Sequence, residues 1–211
     1  MTALCTLLTL ADSRLPAGSH VHSGGIEEAI TTGLVRNVTT LAAFLRRRIR
    51  THGLVTASIA AAVHCGALSP DQADQETDAR TPAPAARQAS RSQGRGLLRL
   101  ARRVWPDTCW TELGDRPHLA VVAGHVGVAA GITPEQSALA VIYTTMTNSA
   151  TAAQRLLALD PADVAALTFR LADLCESCAA EAMAGLAELS DPLLDMLAQR
   201  HSERERPLFV S

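Results

Sequence analysis

An all-α fold, packed as a single compact domain of about eight to ten helices over residues 1–211, is what this sequence predicts. Three observations carry that expectation. The apolar part holds 38 alanines but only six aromatic residues. Alanine favours helices and supplies little of the branched and aromatic signal of strands. Helix-start signals recur along the chain, each a capping side chain followed by proline or a capping-box partner. Finally, 211 residues suffice for one substantial core and are marginal for two. An all-β fold and a parallel-sheet enzyme are both disfavoured.

Residues 2–10, TALCTLLTL, form a short apolar run. The following ADSRLPAGSHVHSGG reads as a structured loop punctuated by Pro16, Gly18, Gly24 and Gly25. Ser23 is placed to cap a short helix running to Thr32 and ending at Gly33. Asn37 caps the next, where Val38, Leu41, Leu45 and Ile49 recur at helical spacing and Arg46, Arg47 and Arg50 hold the opposite flank. The uncharged stretch 51–68 reads as a further helix buried on most sides. Ser69-Pro70 starts a helix that stops before TPAPA, because Pro82 and Pro84 lack amide donors. An arginine-rich helix spans 85–104, and WPDTCWTELGDRPH breaks it.

In the second half, residues 116–130 are apolar and end at Gly131. Thr133-Pro134-Glu135-Gln136 combines a cap, an N1 proline and a capping-box glutamine for a helix through Ala153. Asp160-Pro161 repeats the start signal ahead of a long amphipathic pattern over 161–189. Asp191-Pro192 begins a last short helix, and the tail HSERERPLFVS alternates charges before an apolar triplet.

The formal net charge of -2 conceals an asymmetry. Residues 1–105 carry 13 arginines against 7 acids, and residues 106–211 carry 6 against 14. Lysine is absent, so every basic group is a planar, multi-donor guanidinium. Such polarity suits oriented contacts with partners or between subunits. The cysteines Cys5, Cys65, Cys109, Cys175 and Cys178 are odd in number and scattered. With no secretory leader in view, they point to a reducing cytoplasm. The charge-free windows 51–69, 117–134 and 136–154 mix small and polar residues, and read as buried helix instead of membrane spans.

No motif here carries catalysis. Gly-x-Ser-x-Gly, the P-loop and GxGxxG are all missing, so neither a nucleophile elbow nor a nucleotide-phosphate cradle is expected. Cys175-x-x-Cys178 offers two thiols at i,i+3, as a two-sulfur metal ligand or as buried small hydrophobes. The helical setting and the lack of further ligands favour the second. His20 and His22 have metal-like spacing without a third ligand, while His64, His118 and His125 read as helix-packing residues. The sequence therefore assigns no metal, cofactor or catalytic residue. Arginine runs at 46–50 and 80–103 lack interleaved aromatics and a helix-turn-helix pair, which favours a protein surface over nucleic acid. Arg91, Arg95, Arg99 and Arg102 share one helix face. Their partners are either acids of the second half, with Glu176, Glu181 and Glu188 as candidates, or another protein. From residues alone, a nucleic-acid-binding regulator and a small α-helical enzyme remain the alternatives.

Three blocks carry a family resemblance. In LLTLADSRLPAGSHVHSGGIEEAITTGLV, residues Leu15, Pro16, Gly18, Ser23, Gly25, Ile26 and Glu27 match an L-P-x-G region followed by S-x-G-L-E. ARQASRSQGRGLLRL matches R-x-x-S-x-x-x-G-R-x-L-L, and PLLDMLAQRHSERERPLFVS matches a P-L-x-D…R-H…R-L-F-x-S tail. In this order, and across nearly the whole chain, they resemble the urease accessory protein F (UreF) family. Departures are His20 and His22 in place of aromatics, Ser19 in place of glycine, and Pro207 and Val210 in place of basic residues.

The resemblance implies an all-α, non-catalytic, cytoplasmic assembly protein without a cofactor of its own, and a homodimer. It implies binding to the accessory protein UreD/H and recruitment of the GTPase UreG, for GTP-dependent nickel insertion into apo-urease. A modulating role toward UreG is part of that expectation, whereas nucleic acid and membrane are not expected partners. Nickel itself would pass through partners or the complex. The expected partner-interface residues are Pro16, Gly18, Ser23, Gly25 and Glu27 in the loop, Arg91 and Arg95 on the arginine helix, and Leu208 and Phe209. The last two belong to a partner-binding tail at residues 202–211, expected to be mobile when free and buried on UreD/H.

Overall fold

Helix starts fall where the capping side chains stand. In a computed structural model that describes residues 3–12, 15, 23–188, 191–204 and 208–209, the α-helices are α1 (Ala3–Leu10), α2 (Ile26–Thr31), α3 (Val38–Arg48), α4 (Leu54–His64), α5 (Pro70–Ala79), α6 (Pro84–Val104), α7 (Leu119–Ala130), α8 (Pro134–Leu157), α9 (Pro161–Arg170), α10 (Ala172–Glu181) and α11 (Pro192–Ser202). No strand occurs among the described residues. Pro16, Gly18, His20 and His22 lie outside them.

Asn37, Ser69 and Thr133 each close a capping box, in which the cap side chain accepts the N3 amide and the N3 side chain reaches back. Asp160 and Asp191 accept amides of the first turns of α9 and α11. Each such cap typically contributes about 1 kcal/mol.

Several boundaries differ from the pattern. No break separates α3 from α4: a π-helical turn at Ile49–Gly53 joins them into one rod. The 161–189 pattern is instead divided at Leu171 and ends as helix at Glu181. With α3 and α4 counted as one rod, the described residues form ten, within the expected eight to ten. Ser23 does not occupy the N-cap of α2, which falls to Gly25; its hydroxyl still accepts the Glu27 amide at 3.5 Å. Helix α7 begins at Leu119, three residues later than the apolar run, after Pro117 and an extended His118.

Helices α4 and α8 form the centre. Nine of the eleven α4 residues are buried, which is why this stretch needs no polar face. One apolar cluster gathers Leu41, Leu45, Ile49, Ile142, Met146 and Leu167 with the inner faces of α2, α10 and α11. A second gathers Ile59, Leu97, Leu98, Trp110, Val122 and Val126 from α4, α6, α7 and the connection between the last two. Ala123 and Ala187 pack against both, so the helices form one body. Each fully buried Leu or Ile stabilises the fold by about 1.5–3 kcal/mol. Alanine-rich contacts let backbones approach closely. The extreme case is Gly94, where a Cβ would sit 2.2 Å from the Pro117 carbonyl oxygen.

Candidate functional site

The loop and tail residues singled out by sequence meet at one end of the molecule. Gly25 has φ 85°, a left-handed conformation that lets the chain turn sharply into α2. Its missing side chain faces α11, where a Cβ would lie 3.3 Å from Leu197 Cβ. Two residues on, the buried Glu27 carboxylate receives two backbone amides of the tail. Leu208 donates to Oε1 at 3.0 Å and Phe209 to Oε2 at 3.1 Å. The buried His201 ring sits beneath, with Nε2 3.2 Å from the Phe209 carbonyl and Nδ1 3.7 Å from Glu27 Oε2. Arg204 completes the latch by donating to Glu28 at 3.0 Å and to the Thr31 hydroxyl at 2.8 Å.

These contacts divide the candidates by role. Ser23, Gly25 and Glu27 are buried, so they shape a surface without forming it. Phe209 packs against the chain's own core cluster. Leu208 is 77 % exposed and turns its side chain to solvent.

Asp191 anchors the other side of this end. Its buried carboxylate caps α11 and pairs in two-pronged fashion with Arg47, at 2.5 Å from Nε and 2.7 Å from Nη2. Burial pushes the Asp191 carboxyl up, but Arg47 and the helix amides outweigh it and hold it below the usual range.

The arginine stripe of α6 is split. Arg91 donates to both oxygens of Asp74, at 3.0 and 2.7 Å, to Asp78 at 2.9 Å and to the Arg116 carbonyl. Its partners are therefore acids of α5 and not Glu176, Glu181 or Glu188. The fully buried His118 ring joins this hub, 2.9 Å from Asp78 and 3.0 Å from the Ser90 hydroxyl. Burial holds His118 below the ordinary histidine range, so it is neutral at pH 7. Asp74, Asp78 and His118 place their donor atoms within 4.8 Å of one another, as metal ligands would. The Arg91 guanidinium already bridges the two carboxylates, which makes this a helix-joining network. Arg95, Arg99 and Arg102, by contrast, are exposed, and no ion pair among the described residues holds them.

The thiols of Cys175 and Cys178 are buried, and Cys175 lies 3.8 Å from the Met146 sulfur. Burial pushes the Cys175 thiol up to about 12, which suits a small hydrophobe and not a thiolate ligand. His64 bonds the Ser137 hydroxyl at 2.9 Å, and His125 sits 3.0 Å from the Val121 carbonyl, both between or within helices.

Sequence reasoning missed Asp74, Asp78 and Asp191 as the acids that hold these arginines. The signal was present: Asp74 and Asp78, like Arg87 and Arg91, stand four apart on helices joined by a short proline connection.

Fold and contacts define an all-helical protein whose buried charges join its helices, loop and tail, leaving part of an arginine face and a tail leucine exposed. The UreF family profile matches residues 35–172. Proteins named urease accessory protein UreF from Mycobacterium bovis (strain BCG / Pasteur 1173P2), Mycobacterium tuberculosis (strain ATCC 25618 / H37Rv) and Mycobacterium marinum (strain ATCC BAA-535 / M) are 74, 73 and 72% identical to it over 211 residues, all of both chains. The chain belongs to the UreF family. No described helix is long and apolar enough to cross a membrane.

Proposed function

We propose that this chain is a urease accessory protein acting as a non-catalytic, cytoplasmic scaffold. It bridges UreD/H and the GTPase UreG while nickel is delivered to apo-urease with GTP hydrolysis, and it acts as a homodimer. The observation that carries the reading is full-length identity of 72–74% to proteins named urease accessory protein UreF. Geometry supports a division of labour. The latch formed by Gly25, Glu27 and the tail shapes the UreD/H-facing end and presents Leu208, with Pro16, Gly18 and Ser23, just before it in sequence, as further interface residues. Arg91 fixes α6 in place, and Arg95 with its exposed neighbours meets an acidic face of UreG, where planar guanidinium pairs fix orientation and guide encounter.

Reconstitution tests this directly. Apo-urease, UreD/H, UreG, GTP and nickel are combined with or without the chain, and urease activity is followed. Activation that needs both the chain and GTP is expected. Equal activation without the chain would overturn the proposal.

A further inference from the structure

The last turn of α3 carries a half-buried charge that no ion pair among the described residues neutralises. Arg48 Nη1 donates to the Gly24 carbonyl at 2.7 Å, while its Nε is buried and has no acceptor. No ion pair reaches Arg48 among the described residues, unlike Arg47 beside it. Burial lowers this guanidinium to about 10, so it stays protonated at neutral pH. A charge withdrawn from water is costly unless an opposite charge and hydrogen bonds compensate it.

Arg48 borders a cavity of about 90 Å³ whose walls also include Gly24, His52, Thr145, Asn148 and Ser149. A second buried polar atom without a partner, Asn148 Oδ1, belongs to the same wall. The two ends of a side-chain amide are interchangeable by a flip, so Asn148 can turn its NH2 toward a ligand oxygen. His52 adds no charge, because burial and the Arg48 charge lower it to about 3. Asp12, the acid on this wall, has a partner of its own. The cavity therefore offers one positive charge, planar donors and hydroxyls in a space for a few heavy atoms.

We infer that this cavity is a binding site for a free small monocarboxylate, such as formate or acetate, held by Arg48 and Asn148. A planar carboxylate matches the guanidinium edge. A single negative charge balances the site, whereas a dianion would be left with an excess charge in a partly closed space holding Asp12.

The test is thermal unfolding of the purified protein at constant ionic strength. Sodium chloride is replaced stepwise by sodium formate, sodium acetate or sodium sulfate, and 13C-formate linewidths are recorded in parallel. Formate and acetate are expected to raise Tm with the logarithm of their concentration, by about 3–6 °C at ten times the dissociation constant. Sulfate is expected to show only the gradual rise of an excluded salt. Arg48→Gln should abolish the response and the formate broadening. Because that variant can fail to fold, Asn148→Leu provides the second arm, with at least tenfold weaker formate binding. A wild-type protein without a logarithmic formate response and formate broadening, an equal response to sulfate, or undiminished binding in Asn148→Leu overturns the inference.

Discussion

Glu27 and Phe209 stand 182 residues apart in the chain, and the Glu27 carboxylate accepts the Phe209 amide at 3.1 Å. With the Leu208 amide on its other oxygen, this one side chain ties the tail to the start of α2. Glu27→Gln removes the charge and leaves only one acceptor oxygen. Hydrogen bonds to a charged group contribute about 1.5–3 kcal/mol, so a loss of that order is expected in urea unfolding. Exchange of the Leu208 and Phe209 amides should accelerate at least tenfold. Wild-type exchange rates in the variant would show that Glu27 does not hold the tail.

Gly25→Val places a branched side chain at φ 85° and a Cβ 3.3 Å from Leu197 Cβ. The left-handed conformation alone costs a residue with a Cβ about 1–2 kcal/mol. Crowding against α11 adds to it, and the urea midpoint should fall accordingly. An unchanged midpoint would mean that the turn is not required.

Arg91 and Arg95 sit one helical turn apart, and opposite outcomes are expected for them. Arg91→Gln leaves Asp74 and Asp78 without their shared cation and should destabilise the fold by about 2 kcal/mol. Arg95→Glu changes an exposed residue and should stay within about 0.5 kcal/mol of the parent. The same substitution should weaken association with UreG and slow it most at low salt. Unimpaired UreG binding by Arg95→Glu would remove it from the interface.

Acid should destabilise the protein before its carboxylates titrate. His52 is held near 3 by burial and by Arg48, and His118 is lowered by burial. Unfolding frees both to protonate at about 6.5, so below that pH the unfolded chain binds more protons and stability falls. Each contributes at most about 1.4 kcal/mol per pH unit. Asp78 and Asp191, lowered by their partners, add losses only below about 4, while Asp195, raised by burial, opposes the trend in the carboxylate range. Urea midpoints between pH 8 and 4.5 should be level at first and then decline from about 6.5, with a shallower decline in His52→Gln. A flat profile would contradict the assignment of neutral, buried rings.

Local chemistry explains what the sequence made legible. Asn37, Ser69, Thr133, Asp160 and Asp191 each satisfy amides within three residues, so their helix starts need no tertiary information. The α3–α4 junction was not legible, because a π turn inserts without proline or another breaker, and the change from an arginine-rich to an uncharged stretch after residue 50 read as two helices. The division at Leu171 likewise carries no turn residue. Arg91 could be placed on a face by spacing, but choosing Asp74 and Asp78 over the acids of α10 required knowing that α5 and α6 fold back on each other. Leu208 and Phe209 look equivalent as an apolar pair, and only packing separates the exposed leucine from the docked phenylalanine.

The scaffold role rests on simultaneous engagement of two partners. Light scattering coupled to size exclusion measures it most directly, on UreD/H and UreG with GTP and nickel, in the presence and absence of this chain. One species whose mass contains all three proteins is expected, with UreD/H and UreG eluting apart when the chain is omitted. Co-elution of UreD/H and UreG without the chain, or its elution apart from both, would contradict a bridging role.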